Sequence, residues 1–280
     1  MTDGRRLRDG RVTRVSAALC AAGGVAALLL LSAGGAGSTN RAHRALPTAS
    51  GVPVAQAAAA PAATGRPFDG VAAVGALFTE TNGKLGQHFC TASVVNSAAG
   101  DLVLTAAHCV YDRTQAIVFV PGYALGATPY GIWRVAKVYT DTAWNSAQDP
   151  DHDVAFLKLA NAPDGVPIEN VTGAESLGTG LPSGELVQVI GYPDDAAEPV
   201  WCAGVANGFS TTQLEFDCGG YSTGTSGGPF LTDVNEATGQ GTVIGVIGGY
   251  QQGGDTPQVS YAASFGTAVA VLYAEAQAGS

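Results

Sequence analysis

Residues 219–230 read Gly-Gly-Tyr-Ser-Thr-Gly-Thr-Ser-Gly-Gly-Pro-Phe, a serine set among glycines. Such a run makes a poor strand and a worse helix, because glycine loses the most backbone entropy in either. What it permits is convergence of backbone N–H groups on one point beside a side-chain oxygen. That point suits an oxyanion forming as the Ser226 hydroxyl attacks a carbonyl. Taken alone the run reads equally well as a solvated loop, so the deciding residues lie elsewhere in the chain.

A serine nucleophile needs a base. The four histidines are His43, His88, His108 and His152, and none follows Ser226. Residues 224–228 satisfy G-x-S-x-G, but the nucleophile elbow of α/β-hydrolases places its histidine after the serine, so that reading lacks a base. The subtilisin order of Asp, His, Ser fails as well, since His108 sits in Leu-Thr-Ala-Ala-His-Cys rather than in a glycine-flanked motif. His108 instead closes the apolar run Leu102-Val103-Leu104 and precedes Cys109. Asp153 opens the run Asp-Val-Ala-Phe-Leu-Lys-Leu and abuts apolar residues, so a buried position is within its reach. Asp149 and Asp151 lack that advantage, and His152 reads as a loop residue. A buried aspartate of this kind can accept the His Nδ1–H, fix the tautomer and stabilise the imidazolium of a transition state.

Thr105-Ala106-Ala107-His108-Cys109 closely resembles the histidine motif of the chymotrypsin/trypsin superfamily of serine peptidases. The Asp153 segment resembles that family's presentation of its acid, and the Ser226 loop resembles its Gly-Asp-Ser-Gly-Gly-Pro. The order His108, Asp153, Ser226 is also the family's, and the likeness covers about Phe68 to Ala278. It implies an all-β fold of two six-stranded antiparallel β-barrels with a C-terminal helix and the site in the cleft between the barrels. His108 and Asp153 would then come from the first barrel and Ser226 from the second. The N–H groups of Gly224 and Ser226 would form the oxyanion hole, and no metal or cofactor would be required. The resemblance also gives Cys90 as partner of Cys109.

Departures from the family pattern refine these expectations. Thr225 stands where trypsin-like digestive enzymes carry an Asp that pairs with a newly freed N-terminal amine. Phe68-Asp69-Gly70-Val71 replaces the Ile-Val-Gly-Gly start, and Ser222 replaces a pocket cysteine. With Gly191-Tyr192-Pro193, the chain resembles the secreted bacterial branch near the glutamyl endopeptidases. Gly220 at the pocket floor removes the usual acid for basic specificity, and the wall strand at 245–250 has no histidine for glutamyl specificity. A small or apolar pocket of Gly220, Tyr221, Ile247 and Gly248 is expected. The implied activity is that of a secreted serine endopeptidase acting on protein or peptide substrates. A catalytically inactive binding protein on the same fold, or an esterase-like hydrolase using the same site, are the competing readings.

The elements that must position these residues are short runs of Val, Ile, Phe and Tyr from Phe68 onward, divided by Gly, Pro, Asn and Asp. That spacing predicts an all-β body, with one helix over 268–278 marked by Val269, Leu272 and Tyr273. Upstream the texture differs. Five arginines lie in residues 1–14 and an almost wholly apolar stretch follows over 15–36, the pattern of a secretory signal, assigned to residues 1–37. An uncleaved anchor is the alternative, since about 20 apolar residues would span a bilayer. Residues 38–66 are Ala/Pro/Thr-rich and read as a pro-segment or linker, leaving 67–280 as the peptidase domain. Cys20 falls in the signal; the other four cysteines permit three connectivities, of which Cys90–Cys109 and Cys202–Cys218 close short loops. From Pro67 there are five basic residues against 21 acidic ones, which disfavours nucleic acid and anionic membrane surfaces as partners. A monomer, secreted and free of the membrane after signal cleavage, is the expected mature form.

Overall fold

Short runs of β-branched and aromatic residues suit a pleated, half-buried surface, and strands dominate the fold. The computed structural model describes residues 63–162 and 164–279. In chain order they form β1 (Arg66–Pro67), β2 (Val74–Thr81), β3 (Lys84–Val95), β4 (Leu102–Thr105), β5 (Ala116–Pro121), β6 (Trp133–Thr140), α1 (Thr142–Ala147), β7 (Ala155–Leu159) and α2 (Glu169–Thr172). The second half continues with β8 (Ser176–Leu177), β9 (Glu185–Gly191), β10 (Val200–Gly208), β11 (Gln213–Asp217), β12 (Pro229–Thr232), β13 (Thr242–Val246), β14 (Val259–Ala263) and α3 (Thr267–Ala278). Among these residues no helix is long and apolar enough to cross a membrane. The signal, the alternative anchor, Cys20, His43 and most of the 38–66 segment lie outside the described residues.

β2 to β7 close into a six-stranded antiparallel barrel in the order β2-β3-β4-β7-β6-β5. Every residue of β4 is buried, as are four of the five in β7, so these central strands read as continuous apolar runs. The second half is a curled eight-stranded sheet, β14-β11-β10-β9-β12-β13-β8, with β1 added beside β10. Its edges meet without a full ladder. Gly248 N–H donates to Tyr261 O at 2.9 Å, and at Gly245 an added Cβ would come within 3.0 Å of the Ala262 methyl. The expected pair of barrels is therefore one closed barrel and one open, curled sheet whose six main strands, β9–β14, correspond to the second barrel.

Four strands escape the sequence pattern. β10 reads Val-Trp-Cys-Ala-Gly-Val-Ala-Asn-Gly, where small and polar residues dilute the apolar alternation that identifies a strand. β12 begins at Pro229, directly after the serine loop, and its proline disguised it as more loop. β1 and β8 are two residues long each, too short for any period to register.

Two disulfides tie neighbouring strands, Cys90–Cys109 in the barrel and Cys202–Cys218 in the sheet. Each contributes roughly 2–4 kcal/mol by restricting the unfolded chain. The terminal segments cross over. At the N-terminal side, Gly65 N–H donates to Gly219 O at 2.7 Å and Gly219 N–H to Ala63 O at 2.8 Å, and β1 pairs with β10. At the other end, α3 follows the last strand of the sheet and packs back on the barrel. It buries Val269, Leu272 and Ala276 and sets Tyr273 against Phe156, ring centroids 5.3 Å apart.

A carboxyl group at the junction of the halves has no counter-charge among the described residues. Glu175 is fully buried; its backbone bonds Val94 O and Asn96 N–H, each at 2.9 Å, while its carboxyl accepts Gly241 N–H and leaves Oε1 without a partner. Burial pushes its pKa from 4.5 up to about 8. The folded state thus retains a proton that the unfolded chain releases, so this contribution to stability is complete below pH 4.5 and is lost as pH rises through 8. Glu175→Gln, a neutral isostere, is expected to match the wild type at pH 4.5 and to exceed it by a few kcal/mol at pH 8.5. Denaturant unfolding at both values measures the difference; an advantage independent of pH would disprove the burial argument.

Candidate active site

β4 runs straight into the turn that carries His108. Thr105 ends the strand, Ala106 and Ala107 are fully buried, and a short 3-10 turn over Ala107–Cys109 lifts His108 to the surface of the barrel. Cys109 is pinned to β3 by its disulfide, which fixes the backbone beside the histidine. Asp153 follows a second 3-10 turn, Pro150–His152, and precedes β7. As β4 and β7 are paired with Thr105 opposite Ala155, both side chains emerge from the same end of the barrel.

The Asp153 carboxylate is 1% exposed and fully coordinated by donors. Oδ1 accepts His108 N–H at 2.8 Å; Oδ2 lies 2.7 Å from His108 Nδ1 and accepts Gly249 N–H at 2.9 Å. A carboxylate only accepts, so the imidazole proton lies on Nδ1 and Nε2 is left as a base. The close approach requires glycine at 248, where an added Cβ would stand 2.9 Å from Asp153 Oδ2. Gln213, on β11, fastens the same junction. Its Nε2 donates to Asp151 Oδ1 at 2.6 Å and Pro150 O at 3.2 Å, and its Oε1 accepts Tyr250 N–H at 3.0 Å. His152 is 3.1 Å from Asp141 Oδ1, which leaves it beside the loop as the sequence suggested.

Ser226 and His108 line one cleft of about 530 Å³. In the serine loop the N–H groups of Thr225, Gly227 and Gly228 donate to Ser222 O, Ile247 O and Thr225 O. Those of Gly224 and Ser226 take no partner among the described residues, and both residues face the cleft. Gly224 has φ +95°, and a Cβ there would meet Tyr192 O and Asp194 N at 2.6 Å, so only glycine allows this turn. Thr225 is buried, and its hydroxyl donates to Ser222 O at 2.7 Å within the loop.

Sequence reasoning missed the residue that anchors this loop to the barrel. Thr91, on β3, is fully buried; its Oγ1 accepts Tyr192 N–H at 2.8 Å and donates to Gly224 O at 3.0 Å, while its N–H donates to Ser226 O at 2.7 Å. Thr105 Oγ1 in turn donates to Thr91 O at 2.8 Å. Buried threonines flanked by apolar residues look like ordinary strand positions, and only their place opposite the serine loop distinguishes them.

Of the four residues expected in the pocket, two line the cleft. Tyr221 and Ile247 line the cleft, with Tyr221 OH donating to Val189 O at 2.7 Å. Gly220 and Gly248 do not line it: Gly220 faces the Thr64–Gly65 segment and Gly248 backs onto Asp153. The far wall is built by residues 251–257, which no sequence signal singled out. Sulfur and imidazole atoms of Cys90, Cys109 and His108 cluster within 4.8 Å, but the two cysteines are joined to each other and offer no thiolate for a metal.

Residues 90–246 match the family profile described as a trypsin-like peptidase domain. The crystal structure of the protease Anisep from Arthrobacter nicotinovorans superposes with a TM-score of 0.65 at 24% identity, covering 77% of this chain and all of that one. A thermostable serine protease, AL20, from an extremophilic microorganism gives 0.64 at 26% identity, over 75% of this chain and 99% of its own. Trypsin theta of Drosophila erecta is 41% identical over 80 residues, a match spanning 28% of this chain and 28% of that protein.

Thr91→Val keeps the shape of the side chain but strands Tyr192 N–H without its acceptor. A buried donor left unsatisfied costs about 1–3 kcal/mol. The variant should lose stability by that amount in denaturant unfolding while retaining the fold by circular dichroism. A loss under about 0.5 kcal/mol would remove Thr91 from its anchoring role.

Proposed function

The chain belongs to the trypsin-like peptidase domain family, and from that membership we propose that it is a secreted serine endopeptidase working through His108, Asp153 and Ser226. Peptidase activity on protein or peptide substrates, the residue roles, the endopeptidase character and the secretion are all part of the proposal, and the family membership supports it. The observation that carries it is the Asp153 carboxylate holding His108 by both ring and backbone, with Ser226 across the same cleft.

In this reading His108 Nε2 takes the Ser226 hydroxyl proton as the oxygen attacks the scissile carbonyl. Asp153 holds the ring orientation and stabilises the imidazolium. The Gly224 and Ser226 N–H groups, free of partners within the loop, receive the developing oxyanion. His108 then passes its proton to the leaving amine, an acyl-enzyme remains, and a water deprotonated by the same histidine releases the acid. The reaction balances with no metal or cofactor. Two disulfides suit an oxidising, extracellular destination. We assign residues 1–37 to the signal and the bulk of 38–66 to the linker, with the peptidase body following. Ala63–Arg66 join the packed body through Gly219 and β10, so the functional unit includes them. The mature protein is taken to be a monomer away from the membrane. Basic specificity and glutamyl specificity both lack their usual residue, leaving the Tyr221 and Ile247 surface to favour small or apolar groups at the cleaved bond.

A fluorophosphonate probe should label the wild type and leave Ser226→Ala unlabelled. Ser226→Ala and His108→Ala should each lower kcat by roughly 10⁶, and the double variant should be little worse, because residues acting as one unit are not additive. Additive losses would show that the two do not act together.

A second outcome follows from Thr225, whose hydroxyl is already bonded to Ser222 O and offers no charge to an N-terminal amine. Forms beginning at Ala63 with the amine free or acetylated should agree in kcat/KM within a few-fold. Collapse of the acetylated form alone would mean that another carboxylate has assumed the ion pair.

A further inference from the structure

The cleft has two walls of different chemistry. Beside the Ser226 loop stand Tyr221, Ile247 and residues 253–257; beside His108 stand Phe89, the Cys90–Cys109 disulfide and Arg113. His108 must hand a proton to the leaving amine, so the leaving-group half of a substrate lies along the His108 wall. Arg113 is the only lysine or arginine in the lining.

Its placement is built rather than incidental. The guanidinium carbon sits 3.5 Å from the centroid of the Phe89 ring, and Nε donates to Cys109 O, one residue from His108. Stacking on the ring and the bond at Nε hold the fork in one plane, while its two Nη groups form no ion pair among the described residues. The other cations among the described residues are placed differently: Arg134 pairs with Glu80 and Lys158 with Asp101, and none of Arg66, Lys84 and Lys137 lines the cleft. The acid in the lining is Asp255 on the opposite wall, which already accepts Gln251 Nε2 at 2.6 Å; Asp112 precedes Arg113 in the chain and does not line the cleft.

Resting on the peptidase reading, we propose that Arg113 selects substrates carrying an acidic side chain on the leaving-group side of the scissile bond. An unpaired, pre-oriented guanidinium fork matches a carboxylate with two parallel N–H···O bonds, and the same charge repels a lysine there. A predominantly acidic protein that keeps one unpaired cation beside its base gains discrimination at that subsite, whatever the pocket on the acyl side accepts.

The test uses the full chain as secreted, with active sites counted by fluorophosphonate labelling. Three sets of internally quenched, C-terminally amidated peptides carry Glu, Gln or Lys at each of the first three leaving-group positions in turn. The wild type should show a kcat/KM higher for Glu than for Gln at one position, by roughly five- to ten-fold, with Lys lowest. Arg113→Gln should erase that preference and Arg113→Glu should invert it, each compared per labelled active site. The split should fall mainly on KM and shrink with added salt. A Glu-to-Lys ratio unchanged in Arg113→Gln, with labelling and turnover intact, overturns the Arg113 assignment alone. Absence of both labelling and peptide turnover in the wild type overturns the peptidase reading and the assignment with it.

Discussion

The structure turns on one buried carboxylate shared between two halves of the chain. Asp153 belongs to the barrel, yet one of its three donors, Gly249 N–H, comes from the sheet. Desolvating a carboxylate is tolerable only when its lone pairs are met, so the position of Gly249 relative to His108 is not free to drift. Gln213 adds a neutral clamp to the same seam, and Thr91 supplies a second one at the serine loop. Satisfying polar groups and aligning the site are thus one constraint, met at the same atoms. The tight glycines at 227 and 248 follow from it, since the halves approach too closely there for a Cβ.

The candidate residues that the structure brings together were legible because their neighbours restrict them. An Asp ahead of an apolar run and a His at the end of another can be recognised without knowing the strand pairing, and the cysteine pairs closed short loops. The barrel was likewise visible in β4 and β7, whose unbroken apolar letters reflect burial on both faces. What stayed hidden depends on the partner rather than on the residue. Thr91 and Gln213 gain their roles only from what lies across the seam. The family resemblance put Gly220 at the pocket floor and Gly248 on its wall strand. In three dimensions they turn toward Gly65 and Asp153 instead. Arg113 carried no signal because cation–ring stacking joins a residue on β3 to one in the connection between β4 and β5, beyond any local period.

The termini of the described chain add a constraint of another kind. Residues 63–67 lie on the sheet, although the barrel follows them in sequence, and α3 lies on the barrel, although the sheet precedes it. Each half is thereby closed by a segment from the opposite end of the chain, and neither can open without releasing the other. Such long-range closure makes folding slow. It also raises the barrier to partial opening. On the proposed peptidase reading that barrier bears on lifetime, since a locally loosened loop is what a neighbouring active site would cut. The crossed ends bear on the rate of local opening, a quantity separate from how stable the fold is at equilibrium.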